Sequence, residues 1–504
     1  NGQLNTSDKP AGFLDPNFPT ISGGVGGTYY GTGSYWEYNR ASFFGRINYN
    51  FNDRYLFQFT FREDGSSKFG ADSRWGFFPS VAVGWRISEE PFFPKNTVIS
   101  NLKFRASWGQ LGNENALGKY DFLARISSYN DMYMGYVQGA GSNPWTGSIA
   151  RALENRSLKW ETTDTKNIGF DFGLFGNHLN GNINYYINET RDLLITRRIA
   201  PSAGLDNPTL NVGKMRNQGF ELELNWNDKI SDFEYNVGFN ISTIANKVVA
   251  LANEDQTIYG VGLKYGSEHF PTQTKVGKPI GAFYLYQADG IFQSLEEVQA
   301  HKNSKGELLQ PNAQPGDVRF KDMNGDGVID EDDKTYSGTG IAKVEANLNL
   351  GASYKGFDFS AVIGSAFGNK LYNGIRYYYE GMNSASNFLK TTLNAWTPTN
   401  TKTDIPRAVF GDPNQNTRES TRFLENGDFV RLRQVQLGYT LPKALSKHIY
   451  CESIRFYVSA ENVFTITGYS GANPEFSQGV LNSGIDRFTY PFSRSYTVGA
   501  QVSF

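Results

Sequence analysis

Cysteine is nearly absent from this chain: Cys451 is the single one in 504 residues. One thiol excludes an intramolecular disulfide framework and a cysteine-rich metal site. Histidine is almost as scarce. His178, His269, His301 and His448 are isolated in sequence, so no His-x-x-x-His pair offers a scaffold for zinc hydrolysis. There is no Gly-x-Ser-x-Gly elbow, and Gly118-Lys119 and Gly277-Lys278 lack both the upstream Gly and the following Ser or Thr of a phosphate loop. Carboxylates are plentiful, but a glycosidase pair is defined by a spatial separation that sequence does not display. An excess of charge is missing too, with 48 basic against 50 acidic residues and a net charge of −2, so no long-range field favours nucleic acid or an anionic membrane surface. No stretch approaches the roughly 18 uninterrupted apolar residues that a spanning helix requires. Asn1-Gly2-Gln3-Leu4 has no initiator Met, basic n-region or apolar h-region, which reads as a start removed by a proteolytic nick or as a fragment boundary.

What the chain has in excess is rings. Hydrophobic residues make up only 39% of it, while aromatic residues reach 15%, with 38 Phe and 29 Tyr. They recur with period two over about ten positions, longer than the five or six residues usual for soluble strands. In Tyr55-Leu56-Phe57-Gln58-Phe59-Thr60-Phe61-Arg62 one face carries four rings and the other Leu56, Gln58, Thr60 and Arg62. Leu102, Phe104, Ala106 and Trp108 oppose Lys103, Arg105 and Ser107, and Phe220, Leu222, Leu224 and Trp226 oppose Glu221, Glu223 and Asn225. One side suits lipid and the other water. If such a chain crosses a membrane it crosses as strands of a closed barrel, the only other arrangement that satisfies every backbone group in hydrocarbon.

The pattern predicts thirteen strands, at residues 39–51, 53–63, 77–88, 99–109, 160–175, 179–190, 214–227, 233–244, 343–354, 356–368, 429–440, 453–464 and 494–504. Short links at Asn52-Asp53, Gly176-Asn177-His178, Asn227 to Asp232, Lys355-Gly356 and Leu441 to Glu452 alternate with long ones at 110–159, 191–213, 245–342, 369–428 and 465–493. The link at 64–76 is modestly long and that at 89–98 moderately short. Short turns on one side and long loops on the other are the asymmetry of outer-membrane barrels. Thirteen is odd, whereas such barrels close on an even number, so the remaining strands must come from elsewhere. A large soluble β-sandwich, secreted and carbohydrate-binding, is the alternative, since half-buried strands alternate as well.

Several stretches are then informative in their order along the chain: Asn101 to Asn113, Leu158-Lys159-Trp160-Glu161-Thr162-Thr163, Asn217-Gln218-Gly219-Phe220-Glu221-Leu222, Gly316-Asp317-Val318-Arg319-Phe320-Lys321-Asp322, Arg431-Leu432-Arg433 through Leu437-Gly438-Tyr439-Thr440-Leu441-Pro442, Glu461-Asn462-Val463-Phe464, and Tyr490-Pro491 before the last strand. Together, and in that order, they resemble the SusC/RagA family of TonB-dependent transporters. The resemblance implies an all-β, transmembrane antiparallel barrel of 22 strands, of which these are the last thirteen, with the plug domain absent from this chain. Residues 1–38 would be an extracellular loop region and 39–504 the carboxyl-terminal part of the barrel. It implies TonB-dependent import of oligosaccharides or oligopeptides across the bacterial outer membrane, with a SusD-like surface lipoprotein, TonB, ExbB and ExbD, the missing amino-terminal part, and lipid or lipopolysaccharide as partners, and no nucleic acid. The residues present would hold and guide rather than catalyse. A siderophore or vitamin receptor of the same barrel type is the alternative within this architecture. Phe504, ending an alternating strand, resembles the signal read by barrel-assembly machinery.

Two sets of candidate site residues complete the reading. Asp322, Asn324, Asp326, the Val328 carbonyl and Asp333 fall at positions 1, 3, 5, 7 and 12 of an EF-hand-like loop, with Gly327 at the sharp turn, which makes structural calcium the expected metal. Asp333 is a shorter arm than the usual Glu, and an acidic solvated turn is the alternative. Loop aromatics suit sugar faces and protein interfaces alike. Tyr133, Trp145, Tyr377, Tyr378 and Trp396 are the expected substrate contacts, with packing of loop against loop as the competing role.

Overall fold

The computed structural model describes residues 36–504 apart from 95–97, 130–146, 151, 197–198, 253–255, 266, 383–386, 449 and 477. Almost all of 1–38, and both Tyr133 and Trp145, lie outside the described residues. Among the described residues no helix is long and apolar enough to cross a membrane, which says nothing about strands.

Thirteen long strands dominate: β1 (Arg40–Phe51), β2 (Tyr55–Ser66), β3 (Trp75–Arg86), β4 (Ile99–Asn113), β5 (Glu161–Leu174), β6 (Leu179–Arg191), β7 (Lys214–Ile230), β8 (Phe233–Thr243), β9 (Val344–Tyr354), β10 (Phe357–Phe367), β11 (Phe429–Thr440), β12 (Ser453–Thr467) and β13 (Ser495–Ser503). Each pairs antiparallel with its neighbours in chain order, so the sheet is one continuous meander. Ala245–Ala250 adds a short strand that continues the edge of β7. The sheet is open, with β1 and β13 as its two edges among the described residues.

The strands lie where alternation predicts them, with shifts that trace to turn chemistry. β2 begins two residues later than expected because Asn52 and Asp53 are both left-handed, at φ 51° and 54°, and the Arg54 amide donates back to the Phe51 carbonyl at 3.1 Å. A turn with two left-handed residues matches the strand twist. The link expected over Asn227 to Asp232 is in fact the two residues Ser231-Asp232: β7 runs on to Ile230, which pairs with Phe233, and Ser231 takes φ 56°. At Lys355-Gly356 the second residue has to be glycine, since its φ is 88° and a Cβ would sit 2.7 Å from the Thr440 carbonyl.

One face of the sheet is apolar and uncovered. Rings meet across neighbouring strands at Phe104–Phe170 (5.3 Å), Tyr185–Phe220 (4.8 Å) and Phe357–Tyr439 (4.5 Å). Phe220 is 57% exposed and Phe456 51%, which in water would be a very large apolar patch. The opposite face carries Arg, Lys, Asp, Glu and above all Asn.

The tightest links, at 52–54, 175–178, 231–232 and 355–356, fall at one end of the meander and the longest at the other, although the link 67–74 at the long-loop end is shorter than the links 87–98 and 441–452 at the tight end. The last three long links, 244–343, 368–428 and 468–494, fold together into a cap. It contains a four-stranded sheet of Ile258–Tyr259, Thr272–Thr274, Ala282–Leu285 and Thr335–Thr339, a ladder of Ala288–Ile291 with Val318–Phe320, and a three-stranded sheet in which Lys370–Asn373 lies between Leu424–Asn426 and Ile485–Asp486. Its largest core is Leu263, Phe283, Leu285, Tyr372, Tyr377, Phe423 and Ile485, each fully buried. A second cluster, of Phe69, Phe78, Leu117, Leu158, Trp160 and Leu194, closes the loops above β2 to β6.

Candidate functional site

The polar face of the sheet is laced sideways by side chains rather than left as separate solvated charges. Arg105 Nε donates to Asp171 at 2.8 Å, and Lys103 approaches the same carboxylate at 3.6 Å. Arg105 Nη2 then reaches Asn184 Oδ1 (3.0 Å), Asn184 donates to Asn182 (2.8 Å), and Asn182 and Asn225 both donate to Glu223, at 3.0 and 2.9 Å. The chain crosses β4 to β7 at one level. Further along, Asn347 donates to Asn240 at 2.9 Å, and Arg455 forks onto Asp358. Such a wall presents donors and acceptors at fixed spacing to whatever lies inside it.

At the cap end this face carries a clamp. Against β10, Gln434 pairs with Val362 and Leu432 with Ile363, so Arg433 is an extra residue, while on its other side Arg433 faces two residues of β12, Asn462 and Val463. A bulge re-aims a side chain at modest cost to the ladder. Here it brings Arg431 and Arg433 to one carboxylate: Arg431 Nη1 donates to Glu475 Oε2 at 2.9 Å and Arg433 Nη2 to Glu475 Oε1 at 3.0 Å. Arg431 also donates to Asn473 Oδ1 (2.6 Å) and Thr465 Oγ1 (2.8 Å), and Asn473 closes the turn by donating to the Glu475 carbonyl. Gly364 leaves the room for this, because a Cβ there would collide with Arg433 Nε.

The interior of the cap holds an unusual amount of paired charge. Gly316 (φ 93°) lets the chain turn against the Trp396 ring, where a Cβ would clash. Asp317, fully buried, accepts from Arg407 Nε (2.8 Å) and Nη2 (3.1 Å), from Asn416 (3.0 Å) and from the Gln314 amide (2.9 Å). Burial opposes ionisation of Glu419, yet hydrogen bonding from His269 and the nearby Lys334 cation, at 2.6 Å, hold its pKa down to about 2. These contacts join loop 244–343 to loop 368–428. Arg422, whose side chain is 7% exposed, is pushed down to about 10 by burial although it donates to Glu380 at 3.1 Å. Arg376 donates to Glu380 (3.0 Å), Glu425 (3.2 Å) and Asp404 (3.3 Å). Asp404 stands between two clefts, of about 510 Å³ beside Asp289, Arg319 and Arg422, and about 630 Å³ beside Asn373, Glu425 and Ser470.

The expected site residues separate on this frame. Tyr377 is fully buried in the cap core and Trp396 is 7% exposed with its indole donating to Gln293 at 2.9 Å, so neither offers a face to a ligand. The correction has a plain cause: ring density in a loop marks packing as readily as binding. Tyr378 is half-buried, packed on that core and lying 5.5 Å from the partly exposed Phe488 ring. In the acidic turn, Asp322 accepts from the Gly325 and Gly327 amides at 2.6 and 2.9 Å, Asn324 from Asp326 (2.9 Å), and Asp326 from Val328 (2.9 Å). Asp333, expected as the twelfth-position ligand, is fully buried and spends its oxygens on the Met323, Asn324 and Asp330 amides. Among the described residues no group of three His, Cys, Asp or Glu side chains converges as a metal set. Phe504 ends the chain just past β13 and is 91% exposed. The histidines stay apart: His269 faces Glu419, and His301 Nε2 lies 3.1 Å from the Phe320 carbonyl.

A long-stranded antiparallel meander with one ring-covered face, one polar face, tight turns at one end and a folded cap at the other is the wall of an outer-membrane β-barrel. The chain belongs to the family described as "TonB dependent receptor-like, beta-barrel", which matches residues 2–463. It is 32% identical over 480 residues to TonB-dependent receptor P3 of Formosa agariphila, covering 93% of this chain and 46% of that protein. To TonB-dependent receptor SusC of Bacteroides thetaiotaomicron it is 31% identical over 475 residues, covering 92% and 44%. In three dimensions it is similar to the RagAB peptide transporter, with a TM-score of 0.76, 26% identity, and coverage of 98% of this chain and 51% of that one. The chain thus spans about half the length of these relatives.

Proposed function

We propose that this chain forms the wall and extracellular cap of a TonB-dependent importer that carries bulky nutrients, oligosaccharides or oligopeptides, across the outer membrane. The observation that carries the reading is the continuous meander with its laced polar face, superimposable over nearly its whole length on the RagAB peptide transporter. The polar face lines the passage, the ring-covered face meets lipid, and the cap receives solute from outside. No step here calls for a nucleophile or general base; the side chains bind and guide. A SusD-like surface lipoprotein over the cap, a plug and further strands completing the barrel, and TonB with ExbB and ExbD as the energy source complete the proposal. Structural calcium in the turn 322–333 belongs to it as well, with Asp322, Asn324, Asp326 and the Val328 carbonyl as donors and Asp333 holding the backbone around them.

Copurification and uptake test this together. Detergent extracts of native membranes should yield the chain with a stoichiometric lipoprotein, and deleting it should abolish growth on one class of oligomer in a TonB-dependent way. Recovery as a monomer soluble in plain buffer, or loss of iron-chelate uptake instead, rejects the proposal.

A further inference from the structure

The last long loop is tied down in two different ways. Its ends belong to the cap: Ile485–Asp486 lies in the ladder beside Tyr372–Asn373, the Tyr469 hydroxyl donates to Asp486 at 2.7 Å, and the Ser470 amide donates to Glu425 at 2.7 Å. Its middle, Gly471 to Phe476, belongs to none of the cap's hydrophobic clusters; Asn473 and Pro474 are buried, and the segment is held on the polar face by Arg431 and Arg433. Arg431 is 4% exposed, whereas Glu475 and Arg433 are 33% and 39% exposed, so this chain's own residues cover one half of the clamp and not the other. A segment held mainly by charge-assisted hydrogen bonds, between ends held by ladder and core, is a separate unit of local opening.

We propose that residues 471–476 are a releasable strap: the Arg431–Arg433–Glu475 clamp holds them against the inner wall, where they narrow the mouth, and their release widens it without unfolding the cap. The proposal rests on the barrel reading only in that the polar face is the one lining the passage. Arg433 is the trigger, being the half open to competing anions, and Arg431 is the fixed anchor.

Hydrogen exchange on the intact transporter in detergent, wild type against Glu475→Gln, tests it. Hydrogen bonds to charged groups are strong enough that losing the carboxylate should speed exchange of the amides of residues 471–473, 475 and 476 by about tenfold. Exchange of Leu424–Asn426 and Lys370–Asn373 should keep the wild-type rate. Arg433→Gln, a change at a partly exposed side chain, should move the same amides in the same direction by a smaller factor. Unchanged rates at 471–476 overturn the strap, and so does parallel loosening of 424–426, which would make the clamp part of the cap's fold. Because the readout is local opening, a protein that imports some other solute still passes or fails this test on its own terms.

Discussion

Glu419 shows what a single buried charge does here. Its carboxylate joins two loops through His269 and Lys334, and its pKa of about 2 against an ordinary 4.5 means the ionised form is favoured by folding. A depressed carboxyl contributes stability that is fully present above its unfolded pKa and lost as pH falls through the folded value. The cap should therefore loosen between about pH 5 and pH 2, by on the order of 3 kcal/mol, a shift of one unit being about 1.4 kcal/mol. Fluorescence of the buried Trp396 indole or exchange at Thr335–Thr339 would follow it. Lys334→Met should cost about 3–5 kcal/mol at neutral pH, since it leaves a buried carboxylate short of its nearest cation. A cap indifferent to both changes would mean the network is ornamental to stability.

At the scale of elements, the strands were legible because each must satisfy an apolar and a polar environment at once, which writes period two into the residues. Turn positions were legible where two left-handed residues meet, as at Asn52-Asp53, and misread where the strand simply continued, as from Asn227 to Ile230. The bulge that recruits Arg433 has no sequence signal of its own, since it is defined by pairing with β10. Arg431-Leu432-Arg433 stood out only as a family resemblance. The cap interior was opaque for a related reason: without periodicity, nothing in the sequence chose between ligand contact and loop packing for Tyr377 and Trp396, which are buried. Gly316-Asp317-Val318-Arg319-Phe320 was recognisable as a unit, and its parts are a tight turn, a buried ion pair and two core side chains. For the acidic turn, calorimetry on chelated protein should show calcium binding with increased protection of amides 323–330, and Asp326→Ala should abolish the heat. No heat, with protection unchanged, would leave the turn as a self-satisfied run of main-chain hydrogen bonds.

For the whole molecule, the decisive property is which face meets hydrocarbon. A photoactivated lipid-soluble probe in native membranes should label Phe57, Phe104 and Leu222 and spare Lys103 and Glu223. Labelling of both sets, or of neither, would rule out a spanning wall. The odd strand count is the other property that sequence alone supplied, and among the described residues the open edges at β1 and β13 agree with it.

Gly364 and Arg433 share one small volume on neighbouring strands. A methyl group added at the first would evict the guanidinium at the second, and shortening the second would leave the first free to drift. A bulkier residue at 364 should therefore loosen the hold on Glu475 only as far as losing Arg433 does, with the Arg431 guanidinium still bound.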